Sequence, residues 1–494
     1  MAVPVIEQVD SRMCITLIRC VRSIRTCALV ALALGSTPPR AIAQVASPPL
    51  TLVDAIALAV ESNPDVRRAR EQIEEFRLQV RNARSEALPT VDLVATFQRT
   101  RDPGLRNSQF FSRLGPLPAE ALNPFFFGTY FYRVDVEQPI YEFGRVGHAL
   151  EAARKELEGV HADLRAVENR IARDVAFAYY DVLLARERRA VFESQLRTRE
   201  RQAAFVRARL ELEDATRLDM LTSEVALANL RPEIIAADNT IRVAGARLNE
   251  TLGRAVSSVV GPLDVLAVPD TMPTIPDVAA LKDIAVELRP EIQRFGLDRA
   301  VLGEARAVTR ADTLPKITAN ATVGLNSFAF GNLTKPSFHN WTTGVTVRWT
   351  LFDGFKTAST MAQFESQRRQ SQHLEQAFMA ELERELERVV GDWERSLETM
   401  DVTMLTVSQA REAERVAEES FQFGAATVLD VLTAQQALQQ SELNRVTANH
   451  GALTALADLK TIVGLRADAP DSLLTADPMQ RIAAVIAREP PATR

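Results

Sequence analysis

The sequence predicts a mostly helical α+β fold made of two tandem repeats, each a β-hairpin attached to a long helical hairpin. Three observations predict it: landmarks that recur in both halves, four segments of alternating apolar and polar residues, and a long helical pattern in each half. A recurrence of this kind indicates one architectural unit used twice. The matching landmarks are Asn63-Pro64-Asp65-Val66 with Arg289-Pro290-Glu291-Ile292, Tyr141-Glu142-Phe143-Gly144 with Phe352-Asp353-Gly354-Phe355, and Leu248-Asn249-Glu250-Thr251-Leu252-Gly253 with Leu459-Lys460-Thr461-Ile462-Val463-Gly464.

Each repeat supplies two segments in which every second residue is apolar, as a strand with two different faces requires. Each segment runs roughly 10 to 13 residues, the length that a tilted strand needs to cross a bilayer. Aromatic residues near the strand ends fit an interfacial girdle. Two hairpins of a soluble sandwich are the alternative. The apolar faces hold Val91, Leu93, Ala95 and Phe97; Tyr130, Tyr132, Val134 and Val136; Ile317, Ala319, Ala321, Val323 and Leu325; and Trp341, Val345, Val347, Trp349 and Leu351.

Four strands cannot close a membrane barrel alone, because the smallest such barrels have about eight. Open sheet edges are not tolerated in lipid, so strands that enter a membrane require the chain to oligomerise. Three copies would supply twelve strands, an even number as bacterial barrels require.

The strands lead into long helical patterns. Between Leu150 and Ile171 the apolar residues step by three and four. Between Leu374 and Val407 they average about 3.7 residues per step, which favours little supercoil or a slightly right-handed one. Each run is roughly 100 Å long, which suits a tube that crosses a wide compartment. Pro232 is expected to break the returning helix of the first half only.

The N-terminal 43 residues form a predicted signal peptide. A basic region precedes the apolar core Cys27–Leu34, and Ala41-Ile42-Ala43 provides a cleavage site. The core is too short to span a membrane, and a retained anchor is the alternative. Cleavage would remove every cysteine, namely Cys14, Cys20 and Cys27, so a mature chain has no disulfide or thiolate metal site.

Composition gives no sign of nucleic-acid binding or catalysis. The net charge is -6 over 494 residues, which provides no electrostatic reason to expect nucleic acid. The five histidines are scattered without ligand spacing such as H-E-x-x-H. We expect no enzyme activity, no cofactor and no metal.

Each helical pattern reverses at a similar tip. Thr216 with Asp219, and Thr427 with Asp430, form the pattern of a capping box that starts the returning helix. Gly424 suits the left-handed residue that ends the outgoing helix. One interpretation is a cap alone. The other is a cap that also serves function, because tips gathered around one axis would place a ring of Asp at a cation-attracting constriction.

From about Leu50 to Leu465, the chain resembles the TolC-type outer-membrane factor family. The resemblance rests on the tandem repeats, on the corners Gln138–Gly144 and Trp349–Gly354, and on the tip Phe421–Leu432, which is similar to the family's tip motif. It implies a homotrimer with a twelve-stranded transmembrane β-barrel on a periplasmic α-helical barrel. It also implies a passive exit channel in the outer membrane for a tripartite efflux pump or a type I secretion system, carrying small molecules or polypeptides.

The resemblance also implies partners and site residues. The partners are further copies of the chain, a periplasmic adaptor protein, an inner-membrane transporter and outer-membrane lipid. At the pore entrance, Asp430 falls on the family's aspartate ring, Asp219 matches it in the first tip, and Thr433 stands where a second acidic ring would be. A latch formed by an aromatic residue and an Arg falls on Phe421 and Ala426, so its polar part is expected to be missing. The expected adaptor-docking residues are Thr216, Arg217, Leu218, Gly424, Ala425, Thr427, Val428 and Leu429.

The predicted organisation is a signal peptide at 1–43, a first repeat at 44–270, a second at 271–466 and a disordered tail at 467–494. The alternative function is a periplasmic adaptor, which also uses a coiled-coil hairpin but lacks the duplicated hairpin and the four strands. A soluble structural coiled coil is the third possibility.

Overall fold

The computed structural model describes residues 49–101, 126–264, 273, 275–327, 335–476 and 480–481. The predicted signal peptide, most of both hairpin loops and residues 482–494 of the predicted tail lie outside these ranges. The helices and strands are α1 (Leu52–Ser62), α2 (Pro64–Ser85), β1 (Thr90–Arg101), β2 (Phe126–Tyr141), α3 (Arg145–Glu211), α4 (Arg217–Ala228), α5 (Leu230–Thr251), α6 (Val278–Leu288), α7 (Pro290–Ala311), β3 (Lys316–Ser327), β4 (His339–Arg348), α8 (Lys356–Gln422) and α9 (Val428–Ile462).

The four strands form one antiparallel sheet in the order β1-β2-β3-β4, so the pairing of β2 with β3 joins the two repeats. The register places Leu93, Val134, Val323 and Trp341 in one row across the sheet. Leu93 and Trp341 in this row are 76% and 74% exposed, so no part of the chain that the structure describes covers this apolar face. Strands β1 and β4 are the two edges.

The opposite face of the sheet carries the polar residues. Asp135 accepts hydrogen bonds from Thr322 Oγ1 and Arg133 Nε, each at 2.8 Å. The register confirms the predicted alternation in β1, β2 and β3 and in β4 as far as Arg348. The strand predicted last is shorter than expected, because β4 ends at Arg348 and leaves Trp349 and Leu351 beyond it.

Sharp corners turn the sheet into the long helices. Phe143 and Gly144 have φ angles of 52° and 84°, and Gly354 and Phe355 both have 66°. At the second corner the Asp353 carboxylate accepts the backbone N–H of Thr357 at 2.8 Å. Two consecutive left-handed residues at each corner reverse the chain direction over a short distance and lead into α3 and α8, each of 67 residues. No described helix combines enough length with an apolar stretch that could cross a membrane.

Each repeat has its own hydrophobic core where the short helices pack against the long ones. In the first repeat, Ile56 of α1 is buried with Tyr179 of α3 and Leu248 of α5. In the second, Leu281 of α6 is buried with Trp393 of α8 and Leu459 of α9. The two cores use corresponding elements, which is what the sequence repeat predicts.

The returning segment is broken in the first repeat and continuous in the second. Helix α4 ends at Ala228 and α5 begins at Leu230, whereas α9 runs for 35 residues without interruption. Pro232 accounts for the break, because its ring clashes with the carbonyl of Ala228 and it has no N–H to donate. The predicted difference between the halves is confirmed.

The beginning of the predicted disordered tail is instead packed. Ala467, Ala469 and Leu474 are buried against the two cores. The buried ammonium of Lys460 donates to the Ala469 carbonyl at 2.7 Å and pairs with Asp471 at 2.6 Å. The expectation of disorder from residue 467 is therefore wrong for this part of the tail, since a buried charge needs a partner and the tail provides it.

Candidate functional site at the helix tips

The second tip, between α8 and α9, is built from two interlocking caps. The N–H of Ala425 donates to the Ser420 carbonyl at 2.8 Å, and that of Gly424 donates to Phe421 at 3.1 Å. These bonds form a Schellman motif around Gly424, whose φ angle is 74°. The predicted left-handed glycine is confirmed.

The predicted capping box then starts α9. The N–H of Thr427 donates to Asp430 Oδ2 at 2.8 Å, and the N–H of Asp430 donates to Thr427 Oγ1 at 3.3 Å. The Thr427 hydroxyl also donates to the same carboxylate at 2.7 Å, and this bond is the main reason why the pKa of Asp430 is lowered. The cap therefore stabilises the tip at neutral pH, and its contribution is lost only as the pH falls through this lowered pKa.

The first tip has the same two caps, but a residue other than glycine holds its left-handed position. Thr216 and Asp219 form the same capping box, with N–H bonds of 3.0 and 3.2 Å. The Schellman position is held by Glu213, with a φ angle of 64°, although a residue with a β-carbon is strained there. The N–H of Asp214 still closes the motif on the Arg209 carbonyl at 2.8 Å.

The two tips pack against each other inside one chain. Val206 of α3 is buried with Phe421, Val428 and Val431, and these residues form the tip core, which also includes Leu432. Phe421 is the aromatic residue of the expected latch, and it points into this core with 6% of its surface exposed. Apolar packing is therefore the main contact between the two tips.

Arg209 adds a polar contact that sequence reasoning missed. Its guanidinium lies 5.1 Å from the centre of the Phe421 ring, and Nη1 donates to the Phe421 carbonyl at 3.0 Å. The resemblance placed the Arg of the latch at position 426, which is Ala in this chain. No local motif marks Arg209, because its contact joins different repeats and only the folded chain brings them together.

Most of the predicted docking and entrance residues lie on the outer surface of the tips. The side chains of Leu218 and Leu429 are 72% and 65% exposed, which is unusual for residues of this size. Phe423, which was not predicted, is 87% exposed beside them. Val428 is the exception, because only 3% of it is exposed and it belongs to the tip core. Thr433 is exposed one turn after Leu429 and donates its hydroxyl to the Leu429 carbonyl at 2.8 Å. Thr216, Arg217, Gly424, Ala425, Thr427 and Asp430 are also exposed.

Two of the histidines, His148 and His450, take part in contacts between helices. His148 Nδ1 lies 2.8 Å from Glu304 Oε2, and His450 Nε2 lies 2.9 Å from Asp181 Oδ1. Within the described ranges, no three His, Cys, Asp or Glu side chains are grouped as a metal ion would require.

Residues 55–254 and 281–465 match the family described as outer membrane efflux protein. The chain belongs to this family. Nodulation protein T of Rhizobium leguminosarum bv. trifolii is 21% identical over 418 residues, which cover 83% of this chain and 84% of that protein. The alkaline protease secretion protein AprF of Pseudomonas aeruginosa is 22% identical over 436 residues, or 87% of each chain.

A solved structure shows the same fold. The Campylobacter jejuni CmeC outer membrane channel superposes with a TM-score of 0.70 at 14% identity, covering 90% of both chains. The family and fold are those of channel proteins. As a member of the outer membrane efflux protein family, the chain is an outer-membrane exit channel for efflux or type I secretion, with its helical part in the periplasm.

Proposed function

We propose that three copies of the chain assemble into one channel, in which twelve strands close a transmembrane β-barrel and the helical hairpins form a periplasmic α-helical barrel. The observation that carries this proposal is the four-stranded sheet with two open edges and an exposed apolar face. Because backbone groups at an open edge have no partners in lipid, such a sheet needs further copies to close it.

The channel would act as a passive conduit, with a periplasmic adaptor protein and an inner-membrane transporter supplying the other parts of the pathway. The exposed tips support this division. A docking surface needs large apolar side chains that are accessible before the partner binds, and Leu218, Phe423 and Leu429 meet that requirement. Thr216, Arg217, Gly424, Ala425 and Thr427 would form the polar surround.

At the periplasmic entrance, Asp430 from each copy would face a common axis, with Asp219 from the first tips nearby. The exposed carboxylate of Asp430 and its lowered pKa support a charged ring at neutral pH. A ring of carboxylates attracts cations and raises their local concentration. Thr433, one turn further along α9, would add a neutral hydroxyl where a second acidic ring could stand.

Light scattering of the detergent-solubilised protein tests the assembly, and we expect a mass three times that of the mature chain. A stable folded monomer would contradict the proposal. In cells, a deletion strain should lose resistance to exported compounds or lose secreted polypeptides, and the wild-type gene should restore them. Drug susceptibility and secreted proteins are measured in both strains. Loss of resistance alone would indicate efflux, and loss of secreted polypeptides alone would indicate type I secretion.

A further inference from the structure

All four places where a strand meets a helix lie at one end of the sheet, its junction end. Arg145 Nη2 lies 3.1 Å from Glu86 Oε2, which places the end of α2 beside the start of α3. Trp349 Nε1 donates to the Thr313 carbonyl at 3.0 Å, which places the end of α7 beside the end of β4. Because β2 pairs with β3, the junction end is one band that runs across both repeats.

The junction end is rich in exposed apolar side chains. Six of them have more than half of their surface exposed, namely Leu88, Ile140, Trp349, Leu351, Phe352 and Phe355. Large apolar and aromatic residues at the ends of lipid-facing strands mark the boundary between hydrocarbon and headgroups. In a sheet inserted into the outer membrane, this boundary is the periplasmic one, because α3 and α8 lead from it into the periplasmic part of the chain.

The same short pattern of a cation and a leucine leads into the sheet in both repeats. Arg84 precedes Leu88 by four residues, and Arg310 precedes Leu314 by four residues. Each helix carries a further arginine one turn earlier, and all four arginines are exposed within the last two turns of α2 or α7. The basic collar consists of these four residues, Arg81, Arg84, Arg306 and Arg310.

The charge of the basic collar is not neutralised within the part of the chain that the structure describes. Four carboxylates near the collar pair with other cations: Glu86 and Glu142 with Arg145, Glu304 with Lys155, and Asp312 with Lys316. None of the four collar arginines forms an ion pair or a side-chain hydrogen bond with a described residue. The collar therefore presents positive charge to its surroundings.

The position of the collar matches the depth of lipid headgroups. Two turns of helix span about 11 Å, and the headgroup region on each side of a bilayer is roughly 5–8 Å deep. An arginine side chain can extend along apolar surface while it keeps its charged end in the polar layer. Its guanidinium then donates two parallel hydrogen bonds to a phosphate group, which a lysine cannot do.

We infer that the basic collar binds the phosphate headgroups of anionic phospholipids in the periplasmic leaflet of the outer membrane, and that this contact sets the depth of the channel. A zwitterionic lipid fits less well, because the cation in its own headgroup competes with the arginines for the phosphate. The inference rests on the proposed insertion of the sheet into the membrane and adds the lipid class and the residues that recognise it.

Quenching of tryptophan fluorescence by brominated lipids tests the inference. The chain has three tryptophans. Trp349 lies at the junction end and Trp393 is buried in the second core, so Trp341→Phe leaves Trp349 as the reporter on the apolar face. This protein is reconstituted into vesicles of phosphatidylglycerol and phosphatidylcholine in equal parts, with one or the other lipid brominated. The anionic lipid should be preferred about fivefold, the factor that one cation near an anionic surface contributes, and added salt should reduce the preference.

The variants separate charge from structure. Arg84→Gln combined with Arg310→Gln should bring the preference towards one, whereas lysine at both positions should keep most of it. The matched control combines Arg197→Gln with Arg231→Gln, two exposed arginines far from the sheet, since Arg197 lies about 80 Å along α3 from the junction end. The control should retain the wild-type preference.

Three results would overturn the collar and leave the channel proposal intact. They are equal quenching by the two lipids in the Trp341→Phe protein, an unchanged preference in the double glutamine variant, and an equal loss in the control. Displacement of the anionic lipid by inorganic phosphate would show a site for a free anion and would also overturn the lipid assignment. A chain that fails to float with the vesicles would instead overturn the proposed insertion of the sheet.

Discussion

Glu213 and Gly424 occupy the same position in the two tips but differ in how well they suit it. Both have positive φ angles, and both close a Schellman motif. A residue with a β-carbon loses about 1–2 kcal/mol in this conformation, whereas glycine has no such penalty. The first tip is therefore the more strained of the two.

Glu213→Gly should raise the free energy of unfolding by about 1 kcal/mol because it removes this strain. Gly424→Ala is the matched control and should lower it by about 1 kcal/mol. No atom lies within 4 Å of a β-carbon built at Gly424, so the control measures backbone strain alone. Urea unfolding of the detergent-solubilised protein, followed by circular dichroism, gives both values. A destabilised Glu213→Gly variant would mean that the Glu213 side chain contributes a contact larger than the strain.

At the scale of the strand, the face that a residue occupies should decide the effect of a charge. Val345 is 68% exposed on the apolar face of β4, and Thr346 follows it on the polar face. Val347 is close to the end of β4, so Val345 is the better position for a test at membrane depth.

Val345→Arg should cost about 2–4 kcal/mol in the bilayer and reduce the amount of assembled protein, because an arginine at this depth has no water or partner. Thr346→Arg should assemble almost normally, since its side chain would face the polar interior. Fractionation of outer membranes followed by quantitative immunoblotting measures both variants. Equal assembly of the two would count against lipid contact on the apolar face.

The elements themselves could be predicted from local patterns. Strand alternation, the capping boxes and the effect of Pro232 depend on residues close together in the sequence, and the structure confirms them. The packed tail was missed because its order depends on tertiary contacts. The buried charge of Lys460 is paired with Asp471, and this pair exists only where α9 packs onto the core.

At the scale of the whole molecule, the repeat predicts the architecture but does not determine which contacts join its halves. Arg209 reaches Phe421 across the two tips, and no spacing in the sequence relates these residues. The burial of Val428 has the same origin, because the tip core also draws on Val206 of the other repeat. Contacts between repeats are tertiary, so the position and caps of the two tips could be predicted from sequence, while the contacts that join the tips could not.

In the proposed channel, the contacts that join the tips determine what should hold the entrance closed. The tip core is apolar, and the Arg209 contact with Phe421 lies partly within it. Salt screens exposed charges but has little effect on apolar contacts. The fraction of open channels should therefore change little with added salt, and strong salt-driven opening would reveal a charged latch between copies.

Asp430 should control the passage of cations through this entrance. Asp430→Asn keeps the size of the side chain and removes the charge, so it should lower cation preference and weaken block by multivalent cations. Thr433→Asp is the converse variant, and it should strengthen that block by adding a second acidic ring next to the first. Reversal potentials and single-channel currents in planar bilayers measure both effects. Because the hydrogen bonds from Thr427 lower the pKa of Asp430, the carboxylate should be ionised at neutral pH, where these currents are measured. Unchanged selectivity in Asp430→Asn would show that the carboxylate serves only as a helix cap.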